Sequence, residues 1–268
     1  MSRRGGKGAH DGQIRFAYAF IRVLKRQRSS ALKGREAGPM KAAIECPRGM
    51  WIESTAAKTP DGMEITAASL RRAHRENQDV VLVSDSGECA MVVDGMGGRA
   101  HAALYAAASA RVGLDALEEG LSARAALDLA SQAAGNLERH VVHRHGGAAG
   151  VSLRVRGNHV EWASKGDVAV FGLHDGKAKL LSQLDSADGK LTNYLGCPKR
   201  SASGSADLPP NAALLVATDG CWRYANVGAI ARAAEGEQAA DLAERALARA
   251  VEGLTPDDAS ALALRRSA

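Results

Sequence analysis

The stretch Cys89-Ala-Met-Val-Val-Asp94-Gly-Met-Gly-Gly98 joins an apolar run to an aspartate and three glycines. Two more apolar runs carry an aspartate at one end, namely Ala213-Leu-Leu-Val-Ala-Thr-Asp219-Gly220 and Pro256-Asp257-Asp258-Ala-Ser-Ala-Leu-Ala-Leu264. Short apolar runs that are rich in Val, Leu and Ala and bounded by Gly or Pro are typical of buried strands. Each aspartate is therefore predicted to lie where a strand leaves the core.

Carboxylates gathered at strand ends need a positive partner. Two unit charges about 4 Å apart repel by roughly 4 kcal/mol at an effective dielectric constant near 20. Hard oxygen ligands without a matching Cys or His set favour Mg²⁺ or Mn²⁺, and glycine after an aspartate lets a backbone carbonyl approach the ion. Two such ions activate a water and clamp a phosphoryl group. The pattern predicts a metal site for phosphate chemistry.

Six motifs in collinear order carry a resemblance to a known family. Val92-Val-Asp94-Gly-Met-Gly-Gly98 resembles the signature of the PP2C (PPM-type) metal-dependent Ser/Thr protein phosphatases. The others, similar to that family's R..NED, GDSRAYL, LTRALG, SDG and DNIT segments, are Arg75-Glu-Asn-Gln-Asp79, Lys165-Gly-Asp167, Leu191-Thr-Asn-Tyr-Leu-Gly196, Thr218-Asp-Gly220 and Asp257-Asp-Ala-Ser260. The resemblance spans about Met63 to Arg266.

The predicted elements agree with the fold that this resemblance implies. Two Ala-rich helices, near residues 99–118 and 122–143, separate groups of antiparallel strand runs, and two further helices are predicted near 227–234 and 238–251. Helices outside paired sheets suit an α+β fold. We expect a four-layer α/β/β/α sandwich of two antiparallel sheets flanked by helices.

The resemblance implies a role for each site residue. Asp94 bridges two metal ions, Gly95 supplies a carbonyl, Asp219 and Asp257 bind one ion, and Asp79 holds a metal-bound water. The implied chemistry is attack on phosphorus by a hydroxide that bridges the two ions, without a phosphoenzyme. An Arg that orients the phosphate is expected at Arg72 or Arg75, because strict spacing from Asp79 places a His between them.

Several positions depart from the family pattern. Gln78 stands where Glu is usual, Asp258 replaces Asn, and Arg223 occupies the place of an Asp that helps a third ion. Arg cannot ligate a cation, so the third site is expected to be weak or absent. Asp167 then either joins a third ion or has a structural role. Between Leu184-Asp-Ser186 and Leu191 few residues remain, which indicates a minimal member without the longer flap of bacterial relatives.

The 268-residue chain is predicted to consist of a basic N-terminal extension and one catalytic domain. Residues 1–38 hold ten Lys or Arg against Asp11 and Glu36, so of the net charge of +5 this segment has +8 and the remainder −3. We predict a basic N-terminal extension over residues 1–60 and a phosphatase domain over 61–268. The extension is either largely disordered or one amphipathic helix that touches a membrane surface or a partner, unless Met40 is the true start.

The predicted function is a phosphoserine or phosphothreonine protein phosphatase that uses two Mn²⁺ or Mg²⁺ ions. The alternative is a weakly active or inactive PP2C-like module that binds phosphoprotein. Four cysteines without CxxC spacing indicate a reduced, cytoplasmic chain. The expected partners are a phosphorylated protein substrate and a Ser/Thr kinase; we expect no nucleic acid and a monomer.

Overall fold

Two antiparallel sheets and five helices make up the described part of the chain, which in this computed structural model comprises residues 41–46, 50–71, 76–96, 101–139, 146–188, 190–234 and 242–266. The strands are β1 Lys41–Cys46, β2 Met50–Lys58, β3 Met63–Arg71, β4 Asp79–Val83, β5 Cys89–Gly95, β6 Ala148–Arg156, β7 His159–Lys165, β8 Ala169–His174, β9 Lys177–Leu180, β10 Ser186–Ala187, β11 Lys190–Leu191, β12 Ala202–Asp207, β13 Ala213–Ala217 and β14 Ala259–Arg266. The helices are α1 Ala102–Glu118, α2 Ala123–Leu137, α3 Asp219–Trp222, α4 Val227–Ala233 and α5 Leu242–Glu252.

Twelve of these fourteen strands form one sheet of seven and one of five, and β10 and β11 pair only with each other. The larger sheet has the order β1-β2-β3-β14-β13-β8-β9 and the smaller has the order β12-β7-β6-β5-β4, with all neighbours antiparallel. Helices α1 and α2 pack on the smaller sheet, and α5 packs on the larger one. This is the α/β/β/α sandwich that the sequence predicted.

Strand β13 shows why the central strands have continuous apolar sequences. Leu214 and Val216 pack into the layer between the two sheets, whereas Ala213, Leu215 and Ala217 pack against the helices on the other face. Successive side chains of a strand point to opposite faces, so a strand that is covered on both faces needs apolar residues throughout. The same reasoning applies to β5 and β14, and these three strands end or begin beside the predicted aspartates.

Helices α1 and α2 are built largely from alanine, which combines high helix propensity with close packing. Helix α2 begins at Ser122, whose Oγ accepts a hydrogen bond of 3.3 Å from the Ala125 amide and so satisfies one free N–H of the first turn. Its buried stripe, which includes Leu127 and Ala134, faces the smaller sheet. These two helices close one side of the sandwich.

Part of the predicted N-terminal extension forms strands in the structure. Residues 41–46 and 50–58, which were assigned to the extension, form β1 and β2, and β2 pairs with β3 from Trp51↔Arg71 to Lys58↔Glu64. The apolar residues of β2 stand in two blocks, residues 50–52 and 56–57, and do not alternate with polar ones, so the strand has no period-2 pattern. The compact unit begins at Met40 in the structure. The expectations for the basic tail before it lie outside the described residues.

Shorter elements also escaped the sequence prediction. Strand β12 alternates between half-buried and exposed residues and carries Ser, Gly and Ala, so it has no apolar signal. Strands β10 and β11, of two residues each, pair with each other. They lie in the segment where the sequence predicted that the longer flap is missing. A search of the described residues for a helix able to cross a membrane found none of sufficient length and apolarity.

Candidate active site

The predicted aspartates lie at or beside the ends of strands from both sheets. Asp79 opens β4 and lies directly opposite Asp94 of β5 in the antiparallel register. Asp219 opens α3 two residues after β13, and Asp257 lies two residues before β14. Strands β13 and β14 are neighbours in the larger sheet, so both sheets contribute to one group of carboxylates.

A ring of hydrogen bonds holds Asp79 in place. Its Oδ2 accepts a bond of 2.9 Å from Thr218 Oγ1, which in turn accepts a bond of 2.9 Å from the Ser260 amide. The Ser260 and Ser69 hydroxyls lie 2.8 Å apart, and Asn77 Nδ2 donates to Ser69 Oγ at 2.8 Å. Asn77 Oδ1 closes the ring by accepting from the Asp79 amide at 3.0 Å. The ring joins β3, β13 and β14 of one sheet to β4 of the other.

Because Asp79 and Asp94 are buried, the state in which both carboxyls are ionised is unfavourable. Loss of solvent raises the pKa of Asp79 to about 7, against the opposing effects of hydrogen bonds that include the one from Thr218. The pKa of Asp94 is raised well above its ordinary value, first by burial and then by the charges of Asp79, Asp219, Asp167 and Asp257. In the protein without a cation, the two buried carboxyls therefore retain a proton near neutral pH.

Tight backbone packing fixes the segment around Asp94. A side chain on Gly95 would place its Cβ 2.5 Å from the Ala102 carbonyl oxygen and 3.0 Å from that of Gln78. The Gly95 amide donates to Gln78 O at 3.0 Å, and the Gln78 amide donates to Asp258 Oδ2 at 3.0 Å. Asp258, which replaces the Asn of the family pattern, thus anchors the residue that precedes Asp79.

Arg223 forms ion pairs with two of the carboxylates. Its Nη2 lies 3.1 Å from Asp167 Oδ2 and its Nε lies 3.3 Å from Asp219 Oδ2. Trp222 Nε1 donates to the Asp167 carbonyl at 2.9 Å, and the guanidinium lies 5.2 Å from the Trp222 ring centroid. Burial, followed by the charge of Asp219, raises the pKa of Asp167, and Arg223 opposes this shift. Arg223 is a fixed cation on the side of the site where a third ion was expected to be weak or absent.

The donor set fits divalent metal ions by its chemistry. Asp79, Asp94, Asp219 and Asp257 provide carboxylate oxygens, and the Gly95 carbonyl supplies the type of oxygen that Mg²⁺ and Mn²⁺ prefer. Across the described residues, no group of three or more carboxylate, imidazole or thiol side chains converges closely enough to hold an ion. Burial raises the pKa of both Asp79 and Asp94, and neighbouring carboxylates raise that of Asp94 further, so a cation would favour the ionised forms of both groups.

The structure places Asp79 opposite Asp94, and Asp219 and Asp257 each two residues from one of two neighbouring strands. Asp257 Oδ1 accepts a bond of 2.9 Å from the Asp258 amide, and Gly220 brings its backbone against Asp257 and Asp258. Thr218 and Ser260 lie within the motifs quoted from the sequence, which gave them no role, and Ser69 was not recognised from the sequence. Arg72 and Arg75, the proposed phosphate-orienting residues, lie outside the described residues.

Solved structures with the same fold are serine/threonine phosphatases and related proteins. The S. agalactiae serine/threonine phosphatase matches with a TM-score of 0.64 and 15% identity, over 81% of this chain and 100% of that one. The catalytic domain of PstP, a Mycobacterium tuberculosis phosphatase, in complex with two manganese ions matches with a TM-score of 0.59 and 20% identity, over 82% and 99%. RsbX in complex with magnesium matches with a TM-score of 0.61 and 14% identity, over 80% and 100%.

These similarities establish the fold of the chain as PP2C-like. No protein-family model and no curated protein matches the sequence. The chain therefore shares the sandwich of these phosphatases at identities of 14–20%.

Proposed function

We propose that this protein is a metal-dependent phosphatase that hydrolyses phosphoserine or phosphothreonine in a protein substrate. The observation that carries the proposal is the buried pair of Asp79 and Asp94, held opposite each other in register and near the carboxylates of Asp219 and Asp257. A buried group of anions is a liability for stability and is favoured where it serves chemistry.

Asp94, Asp219, Asp257 and the Gly95 carbonyl would hold Mn²⁺ or Mg²⁺, and Asp79 would orient a bound water. When bound, two such ions activate a water for attack on phosphorus and neutralise the phosphoryl charge. The protein's own contribution is the ring through Thr218, whose hydroxyl donates to one oxygen of Asp79 and fixes the orientation of the carboxyl group. The likeness to PstP in complex with two manganese ions supports the choice of metal.

Hydrolysis of p-nitrophenyl phosphate with and without Mn²⁺ tests this proposal. We expect activity that a chelator abolishes, and a loss of at least about 100-fold in Asp94→Asn, because one neutral ligand leaves both ions insufficiently neutralised. Asp115→Asn is the matched control, since Asp115 lies on α1 and pairs with Arg111. If Asp94→Asn keeps more than about a tenth of the activity, a barrier change below about 1.4 kcal/mol, the proposed role of Asp94 is wrong.

A second candidate function is a phosphoprotein-binding module with weak or no turnover. Arg223 favours it, because ion pairs with Asp167 and Asp219 engage two carboxylates that could otherwise hold a cation. The two candidates differ in one measurement. Binding of a phosphoserine peptide without Mn²⁺-dependent release of phosphate would favour the binding module.

A further inference from the structure

A basic cavity lies beside the end of β7, on the face of the smaller sheet that α2 covers. It has a volume of about 440 Å³, and its lining includes Asp128 and Ser131 of α2, Arg139 just after α2, Lys165, Lys199 and Arg200. The floor, with Ser131 and Lys165, is buried, whereas Arg139, Lys199 and Arg200 are exposed at the rim. The carboxylates of the candidate active site do not line this cavity.

Lys165 is the chemical signal in this cavity. The residue is 2% exposed, and its Nζ donates to Ser131 Oγ at 2.8 Å and to the Cys197 carbonyl at 2.7 Å. Both partners are neutral oxygens, and an ammonium has three donors. Burial lowers the pKa of Lys165, as expected for a cation removed from water. A buried cation bonded to neutral groups is stabilised when an anion enters beside it.

The rim adds charge of the same sign. Arg139 Nη2 donates a hydrogen bond of 2.9 Å to Asn136 Oδ1, and Lys199 Nζ donates one of 2.9 Å to the Thr192 carbonyl. Guanidinium and ammonium groups have five and three N–H donors, so each side chain has further donors. The single lining carboxylate, Asp128, accepts from the Ser201 hydroxyl at 2.7 Å. Four lining cations against one anion give the cavity a formal charge of +3.

We propose that this cavity binds a small phosphate-bearing molecule at a site separate from the carboxylate cluster. A phosphate monoester carries about −1.5 to −2 charges at neutral pH, and Arg and Lys are its usual partners. The volume exceeds that of a bare phosphate and lies within the range of about 300–1,000 Å³ that holds small organic ligands. The phosphate binds over Lys165, and the organic part occupies the remaining space below Arg139 and Lys199.

The test uses the full-length, metal-free protein, in which the carboxylate cluster repels anions. Calorimetric titrations with inorganic phosphate and with adenosine monophosphate distinguish free phosphate from a phosphate ester. The variants are Lys165→Met and the double variant Arg139→Gln with Lys199→Gln. The matched control, Lys177→Gln with Lys179→Gln, removes the same charge from the exposed strand β9.

We expect saturable binding of at least one probe, with an affinity that falls about tenfold or more in the cavity variants and less than about twofold in the control. If Lys165→Met does not fold, the double variant at the exposed rim decides the question. Tighter binding of the ester than of phosphate assigns the rest of the cavity to an organic group, and equal binding assigns the site to phosphate itself.

Three outcomes overturn the proposal. They are the absence of saturable binding for both probes, an equal loss in the cavity and control variants, and binding of a phosphoserine peptide to the exclusion of both small probes. Hydrolysis of p-nitrophenyl phosphate with Mn²⁺ is measured in parallel and should be unchanged in the rim variant. If the wild-type protein shows no Mn²⁺-dependent hydrolysis, the proposed function is contradicted, whereas the proposal of an anion site is unaffected.

Discussion

Asp79 is a residue whose surroundings favour function over stability. Its carboxyl is buried opposite Asp94, and the hydrogen bond from Thr218 offsets only part of the desolvation that raises the pKa to about 7. A neutral carboxyl is compatible with the metal-free fold, whereas two carboxylates require a cation. At the proposed metal site, this residue would therefore couple ion binding to stability.

The first prediction concerns pH. The pKa of Asp79 is about 7 in the folded protein against 3.8 ordinarily, so the folded form binds the proton more tightly than the unfolded form. This contribution to stability is complete below about pH 4 and is lost as the pH rises through about 7, at up to about 1.4 kcal/mol per pH unit. Thermal unfolding of the metal-free protein from pH 5 to 8 should show a decline that is smaller in Asp79→Asn. Saturating Mn²⁺ should also reduce the decline in the wild-type protein. Identical pH profiles for the wild-type protein and Asp79→Asn would contradict the role given to Asp79.

The second prediction concerns the two departures beside the site. The double variant Arg223→Asp with Gln78→Glu removes the cation that pairs with Asp167 and Asp219, and adds two anionic ligands. We expect a third bound ion or tighter Mn²⁺ binding, because like charge no longer repels the metal. Calorimetric titration with Mn²⁺ measures stoichiometry and affinity, with Arg249→Asp, whose Arg pairs with Glu252 on α5, as a control. Unchanged values would place both positions outside the metal shell.

At the scale of the elements, sequence patterns were informative where burial is two-sided. Strands β5, β13 and β14 have apolar residues on both faces, and their ends carry the predicted aspartates. Strands β2 and β12 are partly exposed, and apolar and polar residues do not alternate clearly in their sequences. No local sequence pattern therefore predicted these strands. The ring through Ser69 and Ser260 joins residues 191 positions apart, and such a contact leaves no signal in either segment.

The junction between α3 and β14 gives a prediction at this scale. A Cβ on Gly220 would lie 2.0 Å from the Asp258 carbonyl oxygen and 3.4 Å from the Asp257 Cβ. Gly220→Ala should therefore separate the segments that carry Asp219 and Asp257, destabilise the fold by about 1–3 kcal/mol and weaken Mn²⁺ binding. Chemical denaturation and calorimetry measure the two effects.

Gly228→Ala is the control for that substitution. Gly228 lies in α4, where a Cβ would meet its nearest neighbours at 3.5 and 3.7 Å. We expect it to be neutral or stabilising by up to about 1 kcal/mol, because Ala favours a helix over Gly. Equal effects of the two substitutions would show that Gly220 is not a tight contact in solution.

At the scale of the whole molecule, charge and fold divide the chain at nearly the same place, which lies before the predicted boundary at residue 60. The basic residues are concentrated in residues 1–38, and the larger sheet begins at Lys41. Strands β1 and β2 extend that sheet beyond β3, and β2 covers the edge that β3 would otherwise expose. An uncovered edge strand is a template for aggregation. Residues 41–46 and 50–58 thus belong to the larger sheet, although the sequence placed them in the extension.

The last prediction compares two deletions, one that ends before the first strand of the larger sheet and one that ends near the predicted boundary at residue 60. Deleting residues 1–38 should leave Mn²⁺-dependent hydrolysis and the melting temperature nearly unchanged, because that segment carries none of the metal-site residues and its charge is screened beyond about 8 Å at physiological salt. Deleting residues 1–58 should lower the melting temperature and cause aggregation, because β3 loses its partner from Arg71 to Glu64. Thermal unfolding and light scattering on both proteins measure the difference. A large loss in the shorter deletion would show that the extension packs on the fold, whereas equal stability of the two would restore the boundary at residue 60.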